Sequence, residues 1–142
     1  MWAKSYSVTT KDVTKEQMWL LLSDVDNWKN WDPSIEDSKL LGPFSVGSFF
    51  ELKPKKGPRV KIELIEVVKN KKFTDLTRFP LAQMYGEHTY EDTRDGLKIT
   101  VTMTVKGLLA FLWVKLVAKD IVAFLPQGIN NQISNAKKIV LH

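Results

Sequence analysis

The stretch from Asp24 to Phe50, DVDNWKNWDPSIEDSKLLGPFSVGSFF, decides how the whole chain is read. Two tryptophans, Trp28 and Trp31, stand three residues apart among acids and run directly into Asp32-Pro33. Residues three apart on a helical turn lie on roughly one face, so both rings can turn to the same side. Pro33 stops that turn, because the residue before a proline avoids the helical region. Asp26 is placed to cap it. Beyond Pro33 the period becomes strand-like, with breaks at Gly42-Pro43 and Gly47. The stretch is thus a change from helix to sheet, with Trp28 as a core anchor and Trp31 lining whatever space lies beneath the sheet.

Upstream, WAKSYSVTT (residues 2–10) alternates as a first strand, and TKEQMWLLLSDV follows as a helix. Thr14 and Gln17 have capping-box spacing, and Met18, Leu21 and Leu22 form an apolar face. Downstream come IEDSKLLG, SFFELKP, VKIELIEVV, FTDLTRF and MYGEHTYED, each bounded by turn residues. LKITVTMTVKG alternates most clearly, with Leu97, Ile99, Val101, Met103 and Val105 on one face and Lys and Thr on the other. The chain closes with a helix over residues 108–139, which Pro126 should kink or divide. A strand, two short helices, further strands and a long helix make an α+β architecture. The sheet must curl, because one helix covers only part of so wide a surface.

Composition narrows the function. The 142 residues are 44% hydrophobic and 26% charged, with five tryptophans and no cysteine. Disulfides, thiolate metal sites and a cysteine nucleophile are excluded, and a reducing, cytoplasmic setting is the expectation. Only His88 and His142 offer imidazole, so neither a metal site nor a cofactor is expected. The net charge of +5 gathers at Lys53–Arg59 and Lys69–Lys72. In a meander these are turns at opposite ends of the sheet, and they read as solvated turns rather than a nucleic-acid or anionic-membrane footprint. No signal peptide is recognised at the N-terminus. GLLAFLWVKLVAKDIVAFLP (residues 107–126) is long enough to span a bilayer, but Lys115, Lys119 and Asp120 fall near its middle. No integral membrane segment is expected, which leaves room for transient membrane contact.

The order of elements, LLSDVDNWKNWDP and GPFSVGSFFEL resemble the START-type helix-grip superfamily (SRPBCC), in particular its polyketide cyclase/dehydrase and lipid-transport branch. LAFLW at the start of the last helix and the later Leu125-Pro126 resemble that branch too. The likeness spans essentially the whole chain and implies one domain, residues 1–142. It implies a helix-grip fold: a curled antiparallel sheet of about seven strands around a long C-terminal helix, two short helices after strand one, and an apolar cavity between. The implied mouth lies near Lys53–Arg59, Pro80–Gln83 and Gly107–Leu109. Members bind lipids, sterols, polyketides or isoprenoid quinones, and some catalyse ring closure or dehydration. The family offers no universal catalytic residue to carry over, so the fold does not separate carrier from catalyst.

Strand parity supplies candidates for the cavity wall. Val101 and Met103 face inward, and Met84, Gly86, His88 and Tyr90 share the inward parity of their strand. His88 and Tyr90 therefore point toward the cavity. His88 is either a handle for a ligand oxygen or an acid/base, against the plainer reading of a half-buried histidine satisfied by its neighbours. Phe49, Phe50, Leu52, Ile62 and Leu64 form the facing wall, together with Trp31. From the last helix Leu108, Phe111, Leu112, Leu116 and Phe124 reach inward. FTDLTRF gives no preference between its two faces; with Phe73, Asp75, Thr77 and Phe79 inward, Asp75 becomes a buried carboxylate needing a partner. The helix is apolar almost all round before Lys115, so either the sheet wraps it deeply, Trp113 included, or part of it meets a partner or a membrane. Deep wrapping is the expected arrangement.

The expected function is to bind or carry a hydrophobic small molecule, such as a lipid, polyketide or isoprenoid. One alternative is a cyclase/dehydratase acting on a polyketide-like substrate through His88. Another is a partner-binding module using the apolar C-terminal helix. The oligomeric state is left open.

Overall fold

A computed structural model describes residues 1–141; His142, the second imidazole counted above, lies outside the described residues. The chain begins with β1 (Trp2–Thr10), α1 (Lys15–Ser23) and a 3-10 helix (Val25–Asn30). The sheet continues with β2 (Ile35–Leu40), β3 (Phe49–Pro54), β4 (Val60–Val68), β5 (Lys72–Phe79), β6 (Ala82–Thr93) and β7 (Gly96–Lys106). A C-terminal helical run follows: α2 (Ala110–Trp113), a π-helical turn (Val114–Ala118) and α3 (Lys119–Ala136).

Local chemistry fixes the early helices. The Gln17 backbone N–H donates to the Thr14 hydroxyl at 3.1 Å, and the Thr14 N–H donates to the Gln17 side chain at 2.9 Å. This capping box satisfies two donors that a helix start leaves free. Asp26 does not cap the next helix. Asp24 occupies that position, and the Asp26 carboxylate instead accepts the Leu40 N–H at 2.7 Å, tying the 3-10 helix to β2.

All seven strands pair antiparallel in the order β1-β7-β6-β5-β4-β3-β2. Polar residues occupy the outer face, where Ser5–Thr102 and Ser7–Thr100 hydroxyls pair at 2.8 Å between β1 and β7. The inner face carries Leu97, Ile99, Val101, Met103 and Val105, all buried, as the alternation in β7 requires. The curled sheet holds the long helix against this face, and Gly128, Ile129, Ile133 and Ala136 of α3 are buried. The helical run passes through Pro126 without dividing there. Its irregularity lies earlier, in the π turn, a feature common at functional sites.

Because the strands alternate in direction, the β3–β4 loop, the β5–β6 turn and the β7-to-helix connection lie at one end of the sheet. The β2–β3, β4–β5 and β6–β7 connections lie at the other. The two basic clusters are therefore at opposite ends, as the meander predicts. At the β4–β5 end, Lys72 sits 3.1 Å from Glu66 and 3.3 Å from Glu87, which together hold its ammonium above the ordinary lysine range. The same end is closed inside by an aromatic plug. Trp19 of α1 meets Phe44, Phe73 and Tyr90 edge-on at centroid distances of 5.7, 6.1 and 6.4 Å, and Phe44 meets Phe73 at 5.3 Å.

Candidate ligand cavity

Toward the other end the sheet and helix do not touch throughout, and they enclose a mainly apolar cavity of about 870 Å³. The volume lies in the range of small-molecule sites. Phe50, Leu52, Ile62, Met84, Val101 and Met103 line it from the sheet, and Leu116 and Phe124 from the helix. Trp31 lines it beside Trp28, with ring centroids 6.4 Å apart. Trp28 is both anchor and wall: it is buried, its indole N–H donates to the Leu22 carbonyl at 2.9 Å, and it packs edge-on to Phe50 at 5.3 Å. The Trp31 indole nitrogen is buried without a hydrogen-bond partner. Among the wall residues, Pro33, Ser34, Lys55, Lys56, Gly57, Pro58, Leu116 and Asp120 are exposed and mark the mouth.

Some expected wall residues stand elsewhere. Leu64 and Tyr90 are buried in the core beyond the cavity, which ends where the aromatic plug begins. Burial pushes the Tyr90 phenol well above its ordinary pKa, so it stays protonated. Phe49 points to the outer face, where the Lys61 ammonium lies 4.8 Å from its ring. Leu108 and Phe111 face solvent, and Leu112 is half-buried outside the wall. The cause is Trp113, which stacks on Phe79 at 4.4 Å and donates its indole N–H to the Pro80 carbonyl at 3.0 Å. At about 100° per residue, a helix with Trp113 held against the sheet turns Phe111 roughly to the opposite side. Deep wrapping fails for the same reason: the sheet grips one side of this helical start and leaves the other bare. The β5–β6 turn and Gly107 line a separate cleft of about 320 Å³ with Arg78 and Phe79, so only the β3–β4 loop of the three expected mouth segments belongs to the cavity rim.

The inner polar corner comes from β5 and β6. Phe73, Asp75, Thr77 and Phe79 face inward, while Arg78 faces outward and pairs with Glu63 at 2.7 Å. Opposed residues of an antiparallel pair project to one face, so Asp75 meets Gly86 and Phe73 meets His88. His88 Nε2 lies 3.5 Å from the Asp75 carboxylate, and its ring stacks on Phe73 at 4.2 Å with 10° between planes. Gly86 makes the room: a Cβ there would come within 2.9 Å of an Asp75 oxygen. Asp75, Thr77 and His88 all line the cavity, and no lysine or arginine joins them away from the rim. The corner therefore offers hydrogen-bonding groups, a carboxylate among them, inside an apolar enclosure. Thr77, Phe79, Val117 and Ile121 are further wall residues, not singled out above as ligand sites. Among the described residues, no group of three or more His, Asp or Glu side chains is placed to hold a metal ion. None of the described helices is long and apolar enough to cross a membrane.

Comparison with known proteins agrees with this geometry. A family model described as polyketide cyclase / dehydrase and lipid transport matches residues 1–137. Among solved structures, Ara h 8.0201 aligns with a TM-score of 0.75 over 97% of this chain and 100% of its own, at 11% identity. A START superfamily protein from Mycobacterium smegmatis aligns at 0.68 over 94% and 97%, at 14% identity. The di-domain ARO/CYC StfQ from the steffimycin biosynthetic pathway aligns at 0.73 over 96% of this chain and 49% of that one, at 14% identity. Likeness at such identities concerns the fold alone. No curated protein matches the chain significantly.

Proposed function

Because the chain belongs to the polyketide cyclase / dehydrase and lipid transport family of START-type helix-grip proteins, we propose that it binds or carries a hydrophobic small molecule between sheet and helix. The observation that carries this reading is the apolar cavity of about 870 Å³ with an exposed rim. Each buried methylene of a ligand contributes about 0.8 kcal/mol, so apolar burial supplies most of the affinity. Lipid, polyketide and isoprenoid ligands all fit that chemistry.

The inner corner selects among them. Asp75 accepts hydrogen bonds, and His88 lies beside it with its Nδ1 buried and without a hydrogen-bond partner. A ligand carrying a hydroxyl is accommodated there, whereas a carboxylate would face Asp75 at close range. After removal of co-purified lipid, dodecanol should shift the emission of Trp28, Trp31 and Trp113 to the blue, since all three line the cavity and lose contact with water there. Dodecanol should bind about tenfold more tightly than dodecanoate, and Asp75→Asn should narrow the difference. Absence of uptake of either probe, with no ligand found by native mass spectrometry, sinks the carrier reading.

The contact between His88 and Asp75 also supports a second reading, proton transfer on a polyketide-like carbonyl substrate. Loss of turnover in His88→Ala with binding retained would favour catalysis over carriage.

A further inference from the structure

The exposed start of the C-terminal helix belongs to a larger surface. Leu108 is 81% exposed, Phe111 73%, Leu81 63% and Leu116 55%. The β5–β6 turn and the entry to the helix adjoin: the Leu109 N–H donates to the Leu81 carbonyl at 3.1 Å, and a Cβ on Gly107 would come within 2.5 Å of that same oxygen. Large apolar side chains rarely stand so far out together without something to meet. Leu116 also lies on the cavity rim, so the patch borders the mouth.

Charge identifies what the patch meets. Segments 53–59, 80–83 and 106–119, which build this end, contain Lys53, Lys55, Lys56, Arg59, Lys106, Lys115 and Lys119 and no acid. Lys53 and Arg59 are engaged with Glu36 and Asp37 at 3.2 and 3.0 Å, and Lys106 lies 5.0 Å from the Tyr85 ring. Lys55, Lys56, Lys115 and Lys119 remain exposed. The acids on the rim are Asp32, which accepts from Ser34, and Asp120. A second copy meeting this face would set lysine against lysine. Apolar side chains projecting from a cationic rim instead match an anionic bilayer, where insertion and phosphate attraction act together.

We propose that this end docks reversibly on an anionic lipid bilayer. Leu81, Leu108 and Phe111 enter the boundary between headgroups and acyl chains, and Lys55, Lys56 and Lys115 meet lipid phosphates around the cavity mouth. A ligand with little solubility in water then passes between membrane and cavity without crossing open solvent.

Vesicle flotation tests this. The protein should float with phosphatidylcholine vesicles containing phosphatidylserine, about tenfold less with phosphatidylcholine alone, and progressively less as salt is raised. The double variant Leu108→Ser/Phe111→Ser should lower binding by about tenfold and Lys115→Glu by several-fold, since a single basic residue contributes less than two inserted side chains. All three positions are exposed and outside the cavity wall, so dodecanol uptake should be unchanged in these variants. Retained uptake with vesicle binding that ignores either lipid charge or the double variant overturns the docking surface and leaves the carrier reading intact. A dimer that the double variant disperses would overturn it by assigning the face to a second copy. Flotation of a protein that takes up no probe would leave docking standing and remove the carrier reading.

Discussion

Phe73→Ala should lower stability by about 3–5 kcal/mol, the usual cost of emptying a phenylalanine site that cannot collapse. Phe73 is fully buried at the start of β5. It holds Trp19 at 6.1 Å and Phe44 at 5.3 Å edge-on and stacks flat on His88 at 4.2 Å. Its partners come from α1, the β2–β3 loop and β6, so no single element can move in to fill the space. In a chain of this size such a loss lowers the melting temperature by about 10 °C or more. Urea denaturation and calorimetry measure it. A loss below about 1 kcal/mol would mean that the plug repacks, and that it does not set the inner limit of the cavity.

The second large effect concerns binding. Val117 and Ile121 are half-buried on the helix side of the cavity. Val117→Trp together with Ile121→Trp should weaken dodecanol uptake by about a hundredfold, since displacing three or four methylenes costs about 0.8 kcal/mol each. The melting temperature should change little, because the added rings enter open volume rather than a packed core. Intrinsic fluorescence is ambiguous in a variant with extra tryptophans, so isothermal titration calorimetry is the measurement. Unimpaired uptake would place the ligand outside this cavity.

The fold was legible wherever one residue's environment repeats at a fixed spacing. β7 alternates without interruption, the Thr14–Gln17 box starts α1, and Trp28 and Trp31 mark the passage from helix to sheet. The inward face of β6 followed from setting Met84, Gly86, His88 and Tyr90 against a face with two glutamates. β5 was not legible. Thr74 and Leu76 on its outer face are buried along with Phe73 on its inner one, which removes the contrast that parity depends on. Asp75 faces inward because of Gly86 and His88 on the neighbouring strand, and no pattern within β5 contains that information. The extent of the cavity was hidden for a similar reason. Trp19 comes from outside β6, yet its edge-on contact is what makes Tyr90 core. On the helix, an apolar circumference signals burial only if something in the same chain covers it. Trp113 is held against the β5–β6 turn, and Leu108 and Phe111 are left with no cover.

The close fit of Gly86 under Asp75 makes position 86 a control on the shape of the polar corner. An added Cβ at position 86 would lie 2.9 Å from Asp75 Oδ1, so a larger residue there requires the carboxylate to turn aside. The colliding atom is the end of a side chain and not backbone, so the strand pairing can survive such a change while the acceptor geometry does not. Position 86 thus adjusts the ligand corner without being part of its chemistry.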